Sequence, residues 1–91
     1  MKIQASLAIL GLLGAPLAAA AAPSGLTDEC KELYEAYQTA ETPKAFATGP
    51  DGACGWAWEE GMALDFVRQK AVSECQEHTA GQCLVVEQVV Q

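Results

Sequence analysis

Four cysteines constrain the fold of this 91-residue chain more than any other feature: Cys30, Cys54, Cys75 and Cys83. No two of them form the C-x-x-C pair that zinc sites, thioredoxin-like redox sites and haem attachment require. An even number of cysteines in a short chain is typical of disulfides when the chain enters an oxidising compartment. We therefore expect two disulfides, no metal and no cofactor. Three pairings are open, and each closed loop contributes roughly 2–4 kcal/mol of stability.

Residues 1–22 have the pattern of a secretory signal peptide. Lys2 supplies a positive charge, an apolar run extends from Ile3 to Leu17, and a tract of small residues follows from Ala18 to Ala22. The apolar run is shorter than the roughly 20 residues that cross a bilayer, and glycines and a proline interrupt it. We therefore expect cleavage to release one small domain, residues 23–91, into the periplasm or the exterior with no membrane span.

Charge and size restrict what this domain binds. The chain has 12 acidic and 5 basic residues, and loss of Lys2 with the signal peptide leaves a net charge of about −8. Because nucleic acids and anionic lipid surfaces repel such a chain, nucleic-acid binding is excluded. A domain of about 70 residues buries little apolar surface, so covalent links are expected to supply much of its stability.

The first half of the domain reads as a helix followed by a β-hairpin. Thr27 is a candidate N-cap for a helix over about 28–40, whose apolar stripe includes Leu33, Tyr34 and Tyr37. The hairpin is predicted from the segment GPDG at 49–52, with Pro50 at the first corner of a type I turn followed by a G1 bulge.

The second half reads as a helix followed by a strand. The apolar spacing predicts a helix over about 61–79 that ends at Gly81 as its C′ residue. Residues 82–90 are strand-like, and because both faces are apolar we expect a strand that is interior or covered on both sides. The chain is therefore expected to form an α+β domain (αββαβ), a small, mainly antiparallel three-stranded sheet with two helices.

The residue types needed for catalysis are sparse. His78 is the single histidine, and its place in the last turn of the second predicted helix suits a cation that complements the helix dipole. The domain has two serines, Ser24 and Ser73, and no Ser/His/Asp set. Carboxylate pairs such as Glu59-Glu60 are expected to be solvated, because so small a domain has little room for a glycosidase cleft. We expect no catalytic residues and no enzyme.

The candidate binding surface lies on the hairpin. Trp56 and Trp58 share one face of the second strand, with Phe46 beside them. These rings either fill the core or form an exposed patch that stacks on saccharides or receives a protein partner. Asp51 at the hairpin tip is a second candidate contact.

A resemblance to a known group extends over about residues 44–86. The segment FATGPDGACGWAW at 46–58, the helix with Ala63, Ala71 and Cys75, and the segment CLVV at 83–86 carry it. Together they resemble a hairpin–helix–strand unit of small exported bacterial proteins of unknown function. The resemblance implies a ββαβ sheet layer and no known activity.

The same resemblance implies a disulfide pairing. It favours Cys75–Cys83, which leaves Cys30–Cys54 to tie the first helix to the hairpin. Trp56 and Trp58 would then lie near the first helix. The opposite face would let the second helix approach closely, because it presents only small residues, Ala45, Ala47, Gly55 and Ala57.

These features favour a non-enzymatic binding or interaction module of the periplasm or the exterior, with a protein or a saccharide as its partner. The alternative is an inhibitor of an exported hydrolase, a protease or a cell-wall enzyme, that uses the hairpin tip around Asp51. A rigid loop suits that task because it loses little entropy on binding.

Overall fold

The computed structural model describes residues 22–91, so the expected signal peptide lies outside the described residues except for Ala22. The elements are α1 (Asp28–Gln38), β1 (Lys44–Thr48), β2 (Cys54–Trp58), α2 (Leu64–Gln76) and β3 (Leu84–Val89). The three strands form one sheet in the order β2-β1-β3, with both pairs antiparallel. The expected α+β class, with two helices and a three-stranded antiparallel sheet, is confirmed. Within residues 22–91, neither helix has the length and apolar character needed to cross a bilayer.

Two small cores lie on opposite faces of the sheet. Phe46 packs with α1, whereas its neighbours Ala45 and Ala47 pack with α2. Because successive side chains of a strand point to opposite faces, β1 contributes to both cores. Both helices lie over β1 and β2, and α2 contacts β3 much less.

Close approach of α2 to the sheet depends on a glycine. A methyl group at Gly55 would lie 2.8 Å from the carbonyl oxygen of Ala71, and closer still to the backbone nitrogen of Cys75. No larger residue fits there unless the helix moves away. The prediction that small residues on this face let the second helix approach closely is confirmed.

Helix α1 begins as predicted and ends two residues early. The Thr27 hydroxyl accepts a hydrogen bond from the Cys30 N–H at 3.2 Å, which is an N-cap. At the other end, the Lys44 ammonium donates to the carbonyl oxygens of Tyr37 and Gln38 at 2.8 and 2.9 Å. In a longer helix these carbonyls would accept from residues 41 and 42. The predicted end at residue 40 is therefore wrong.

Helix α2 is shorter than the predicted 61–79 at both ends. Gly61 has φ +83°, which is a turn conformation, and the helix begins three residues later. Gln76 is the last helical residue, and its side chain donates to the Gly81 carbonyl at 2.7 Å and accepts from the Cys83 N–H at 2.8 Å. These two hydrogen bonds hold the turn in which the chain reverses towards β3. His78 thus lies outside the helix, and the prediction that it occupies the last turn is wrong.

Gly81 is also not the C′ residue of α2, as was predicted. It lies five residues beyond the helix and packs against the ring of Pro50, where a Cβ would clash. Its small size therefore serves a close contact with the hairpin rather than a helix end.

The hairpin turn is of a different type from the predicted one, and its central residues lie one position later in the chain. Asp51 and Gly52 have φ +62° and +74°, and the Ala53 N–H donates to the Pro50 carbonyl at 3.1 Å. Two central residues with positive φ define a type I′ turn, in which Pro50 precedes the corner instead of forming it. Because proline has no N–H, Gly49 supplies the next hydrogen bond, to the Ala53 carbonyl at 3.0 Å.

The last strand is not covered on both sides, and that prediction is wrong. β3 pairs only with β1 and forms an edge of the sheet, with exposed and half-buried residues in alternation. The helices lie over the other two strands, so the apolar composition of residues 84–90 does not correspond to burial.

Candidate functional site

The two disulfides join the hairpin and the last strand to the helices. Cys30 pairs with Cys54 and Cys75 pairs with Cys83, which is the pairing that the resemblance implies. Cys30–Cys54 ties α1 to the start of β2, and Cys75–Cys83 ties the last turn of α2 to the residue before β3. All four cysteines are buried, so each disulfide is part of a core.

The predicted aromatic surface divides between core and solvent. Phe46 is fully buried, in edge contact with Tyr34 at a ring-centroid distance of 5.2 Å. Trp56 is half-buried and packs edge-on against Tyr37 at 6.4 Å. Trp58 is 43% exposed at the end of β2. Phe46 therefore cannot contribute to a binding surface, because α1 covers it, and Trp58 is the exposed ring of the three.

Asp51 lies at an exposed hairpin tip that neighbouring residues hold in place. The Thr79 hydroxyl donates to the Asp51 carboxylate at 3.1 Å, and Gly81 packs against Pro50. On the other side, a Cβ on Gly52 would approach the Thr27 methyl group to 3.0 Å. The tip is a short, held turn and not an extended loop.

A buried polar group under α1 was not predicted from the sequence. We define the buried lysine cluster as Tyr34, Tyr37, Lys44 and Glu87. The Tyr34 hydroxyl donates to the Glu87 carboxylate at 2.7 Å, and the Lys44 ammonium lies 4.6 Å from the centre of the Tyr37 ring. The cluster joins α1, β1 and β3.

The environment of the buried lysine cluster shifts its proton affinities. Burial, reinforced by the nearby Glu87 carboxylate, raises the pKa of Tyr34 to about 12 and moves the pKa of Tyr37 higher still. Burial lowers the pKa of Lys44, an effect that Glu87 opposes. Each hydroxyl therefore remains protonated at physiological pH, and the Tyr34 hydroxyl links α1 to β3 through Glu87.

The alternation of β1 contained a signal for this cluster. Lys44 has the same strand phase as Phe46, which the sequence placed near the first helix. The groups that the Lys44 ammonium binds, the last carbonyls of α1, could not be predicted from side-chain patterns.

Three exposed apolar side chains belong to β3 and the residue after it. Leu84, Val86 and Val90 are 59%, 47% and 58% exposed, and we call these three side chains the β3 surface. Their neighbours Val85 and Glu87 contact the α2 core and Tyr34, respectively. Sequence reasoning missed this surface because an apolar strand reads the same at an edge and in an interior.

Open grooves border β3 at both of its ends. One, of about 490 Å³, is lined by Asp65, Arg68 and Val72 of α2 together with Leu84 and Val85. The other, of about 580 Å³, lies at the end of the strand beside Met62, Leu64 and Val90. Both grooves exist because α2 lies over β1 and β2, so the face of β3 on the same side of the sheet remains accessible.

Within residues 22–91, no group of three or more His, Cys, Asp or Glu side chains is arranged to hold a metal ion. His78 is exposed near the Cys30–Cys54 link, in a shallow groove that also includes Glu29, Glu32 and Asp51.

Comparisons with protein-family models, with curated proteins and with solved structures found no match to this chain. The function proposed below therefore depends on the residues of this chain alone.

Proposed function

We propose that the chain is an exported, non-enzymatic interaction module that binds a protein partner through the β3 surface. The observation that carries the proposal is the exposure of Leu84, Val86 and Val90 along an edge strand. A long apolar edge strand that remains open invites pairing with another chain, and proteins normally protect such strands. An apolar edge in an otherwise acidic domain supports a binding role.

The scaffold behind this strand suits recognition. Cys75–Cys83 fixes the residue that precedes β3, and the hydrogen bond from Tyr34 to Glu87 fixes its middle. A surface held in its bound conformation loses little entropy when a partner docks, so more of the contact energy appears as affinity.

Export is part of the same proposal. The signal-peptide pattern of residues 1–22 and the pairing of all four cysteines both support delivery to an oxidising compartment. Periplasmic and secreted locations both fit these observations.

Site-specific photo-crosslinking in the native host tests the proposal. A benzoylphenylalanine in place of Val86 is expected to capture a defined protein. The same group in place of Ser73, which is exposed on α2, serves as the matched control and is expected to capture nothing above background. Equal labelling at both positions, or no captured protein at Val86, would contradict the proposal.

A second candidate function, inhibition of an exported hydrolase, is favoured by one observation, the exposed and held tip around Asp51. Asp51→Ala is expected to abolish inhibition if the carboxylate contacts the enzyme. Thr79→Val removes the same hydrogen bond but keeps the carboxylate, so it separates contact from support. Retained inhibition by Asp51→Ala would reject the tip as the contact.

A further inference from the structure

The outer edge of β3 has unused backbone hydrogen-bonding groups. Its inner edge pairs with β1 over the register from Lys44↔Val89 to Thr48↔Leu84, and no other strand of residues 22–91 pairs with it. An edge strand presents a row of N–H and C=O groups to solvent. An extended peptide satisfies such groups by adding as a further strand.

One feature that protects edges is present in this strand, a register shift against β1 that leaves Val86 as a bulge, but the side chains that normally block an edge are missing. Residues 84–90 include one charged residue, Glu87, and its carboxylate accepts a hydrogen bond from Tyr34. Neither lysine nor proline, which commonly block edge pairing, occurs in this segment. The two edges also differ in what lies over their faces: both helices pack on β2, whereas open grooves at both ends of β3 leave room for the side chains of an added strand.

Charge determines which kind of chain is attracted to this edge. Residues 22–91 contain 12 acidic and 4 basic side chains, since Lys2 lies outside them. Lys44 is buried, and Lys70 lies 3.7 Å from the Glu59 carboxylate. A second copy of this chain would bring the same negative charge to the edge and be repelled, whereas a cationic segment would be attracted.

We propose that the outer edge of β3 binds an extended segment of a partner protein that alternates apolar residues with lysine or arginine, added as a fourth strand of the sheet. This inference rests on the proposed function and names the chemistry of its partner. Successive side chains of an added strand point to opposite faces of the sheet. Apolar side chains of the segment pack beside Leu84 on the α1 face, because Leu84 pairs with Thr48. Its cationic side chains then point to the α2 face, near Asp65 and in the negative potential of the domain.

Three synthetic peptides test the inference with the oxidised protein. The first alternates lysine with valine, the second replaces lysine with glutamate, and the third is the lysine–valine peptide with methylated backbone nitrogens, so that the charge and the side chains are kept but the N–H donors are lost. The lysine–valine peptide is expected to bind at least about tenfold more tightly than either control, because it alone has both the charge and the backbone donors. Amide exchange is expected to slow within residues 84–89 and not within β2.

Charge variants of α2 add a matched comparison. Asp65→Lys is expected to weaken binding of the lysine–valine peptide about threefold and Arg68→Glu to strengthen it about threefold, as single exposed charges do. Glu74→Lys makes the same charge change outside the groove and is expected to have a smaller effect. Equal binding of the lysine–valine peptide and its N-methylated form would overturn the inference, and so would equal effects of Asp65→Lys and Glu74→Lys.

Self-association is the competing occupant of this edge. Sedimentation of the peptide-free protein is expected to give a monomer. A dimer with slowed exchange in residues 84–89 would assign the edge to a second copy and overturn the inference. If Val86 captures a protein in the host but the lysine–valine peptide does not bind, the interaction module stands and only the cationic partner is rejected.

Discussion

The ammonium group of Lys44 lies 2.8 Å from the main-chain carbonyl oxygen of Tyr37 and 4.6 Å from the centre of the same residue's ring. A strand residue thereby satisfies the negative end of a helix that has no basic residue in its last turn. The contact is buried, and it fixes α1 over the sheet at the end opposite the Cys30–Cys54 link.

Lys44→Met tests the importance of this contact. The substitution keeps much of the side-chain volume but removes two charge-assisted hydrogen bonds, leaving the Tyr37 carbonyl with the Ala40 N–H alone. We therefore expect the free energy of unfolding to fall by about 2 kcal/mol. Lys70→Met is the control, because its exposed ion pair with Glu59 contributes less than about 1 kcal/mol. Urea unfolding measures both losses, and equal stabilities would show that the Lys44 contact contributes nothing specific.

Alkaline titration tests the buried lysine cluster. Tyr34 and Tyr37 are the only tyrosines, and both have a folded-state pKa above the ordinary value of 10. The folded state keeps these protons when the unfolded state loses them, so the stabilisation is complete below pH 10 and is lost as pH rises through 12. The lowered pKa of Lys44 acts in the opposite direction, but only up to its unfolded value of 10.5.

We therefore expect no tyrosinate absorbance at 295 nm until the protein unfolds above about pH 11. Glu87→Gln is the matched variant, since it removes the charge beside both hydroxyls but leaves them buried. Its tyrosine pKa values are expected to fall towards 10 without reaching it, because burial is the larger cause. Ordinary ionisation near pH 10 in the folded wild type would contradict this account.

The two disulfides are expected to differ in their contributions. Their cysteines are 24 and 8 residues apart, respectively, for Cys30–Cys54 and Cys75–Cys83. On the chain-entropy relation, removal of the longer link costs about 3.5 kcal/mol and removal of the shorter link about 2.6 kcal/mol. Paired Cys→Ala variants and urea unfolding measure the difference. A greater loss for the Cys75–Cys83 pair would show that packing around it outweighs loop entropy.

Gly55→Ala tests the close approach of α2 to the sheet. The added methyl group meets the helix backbone near Ala71 and Cys75, and we expect a loss of about 2–3 kcal/mol from overpacking. Gly25→Ala is the control, because Gly25 has φ +79° with open space around it, so strain costs about 1 kcal/mol there without any clash. Losses of equal size would mean that α2 moves aside readily.

Local sequence patterns predicted the fold class correctly because each depends on neighbouring residues. The Thr27 cap and the alternation that assigns Gly55 and Phe46 to opposite faces are examples. The length of α2 could not be read in this way, since its start depends on the backbone conformation of Gly61 and its end on the Gln76 side chain.

The candidate site was harder to predict because it depends on the order of strands in the sheet. Trp56 and Trp58 have the same phase, yet Trp56 is half-buried against Tyr37 and Trp58 is exposed where β2 ends. The composition of residues 84–90 suits an interior strand, and only the pairing of β1 with both neighbours places β3 at an edge.

Hydrogen exchange of the peptide-free protein at low concentration tests most directly whether the outer edge of β3 is open. Because β1 is paired on both sides and β3 on one, the amides of residues 44–48 are expected to exchange slowly throughout. Within residues 84–89, amides that face β1 are expected to be protected and those that face outward to exchange at rates close to those of exposed backbone. Uniform protection of residues 84–89 would contradict the account.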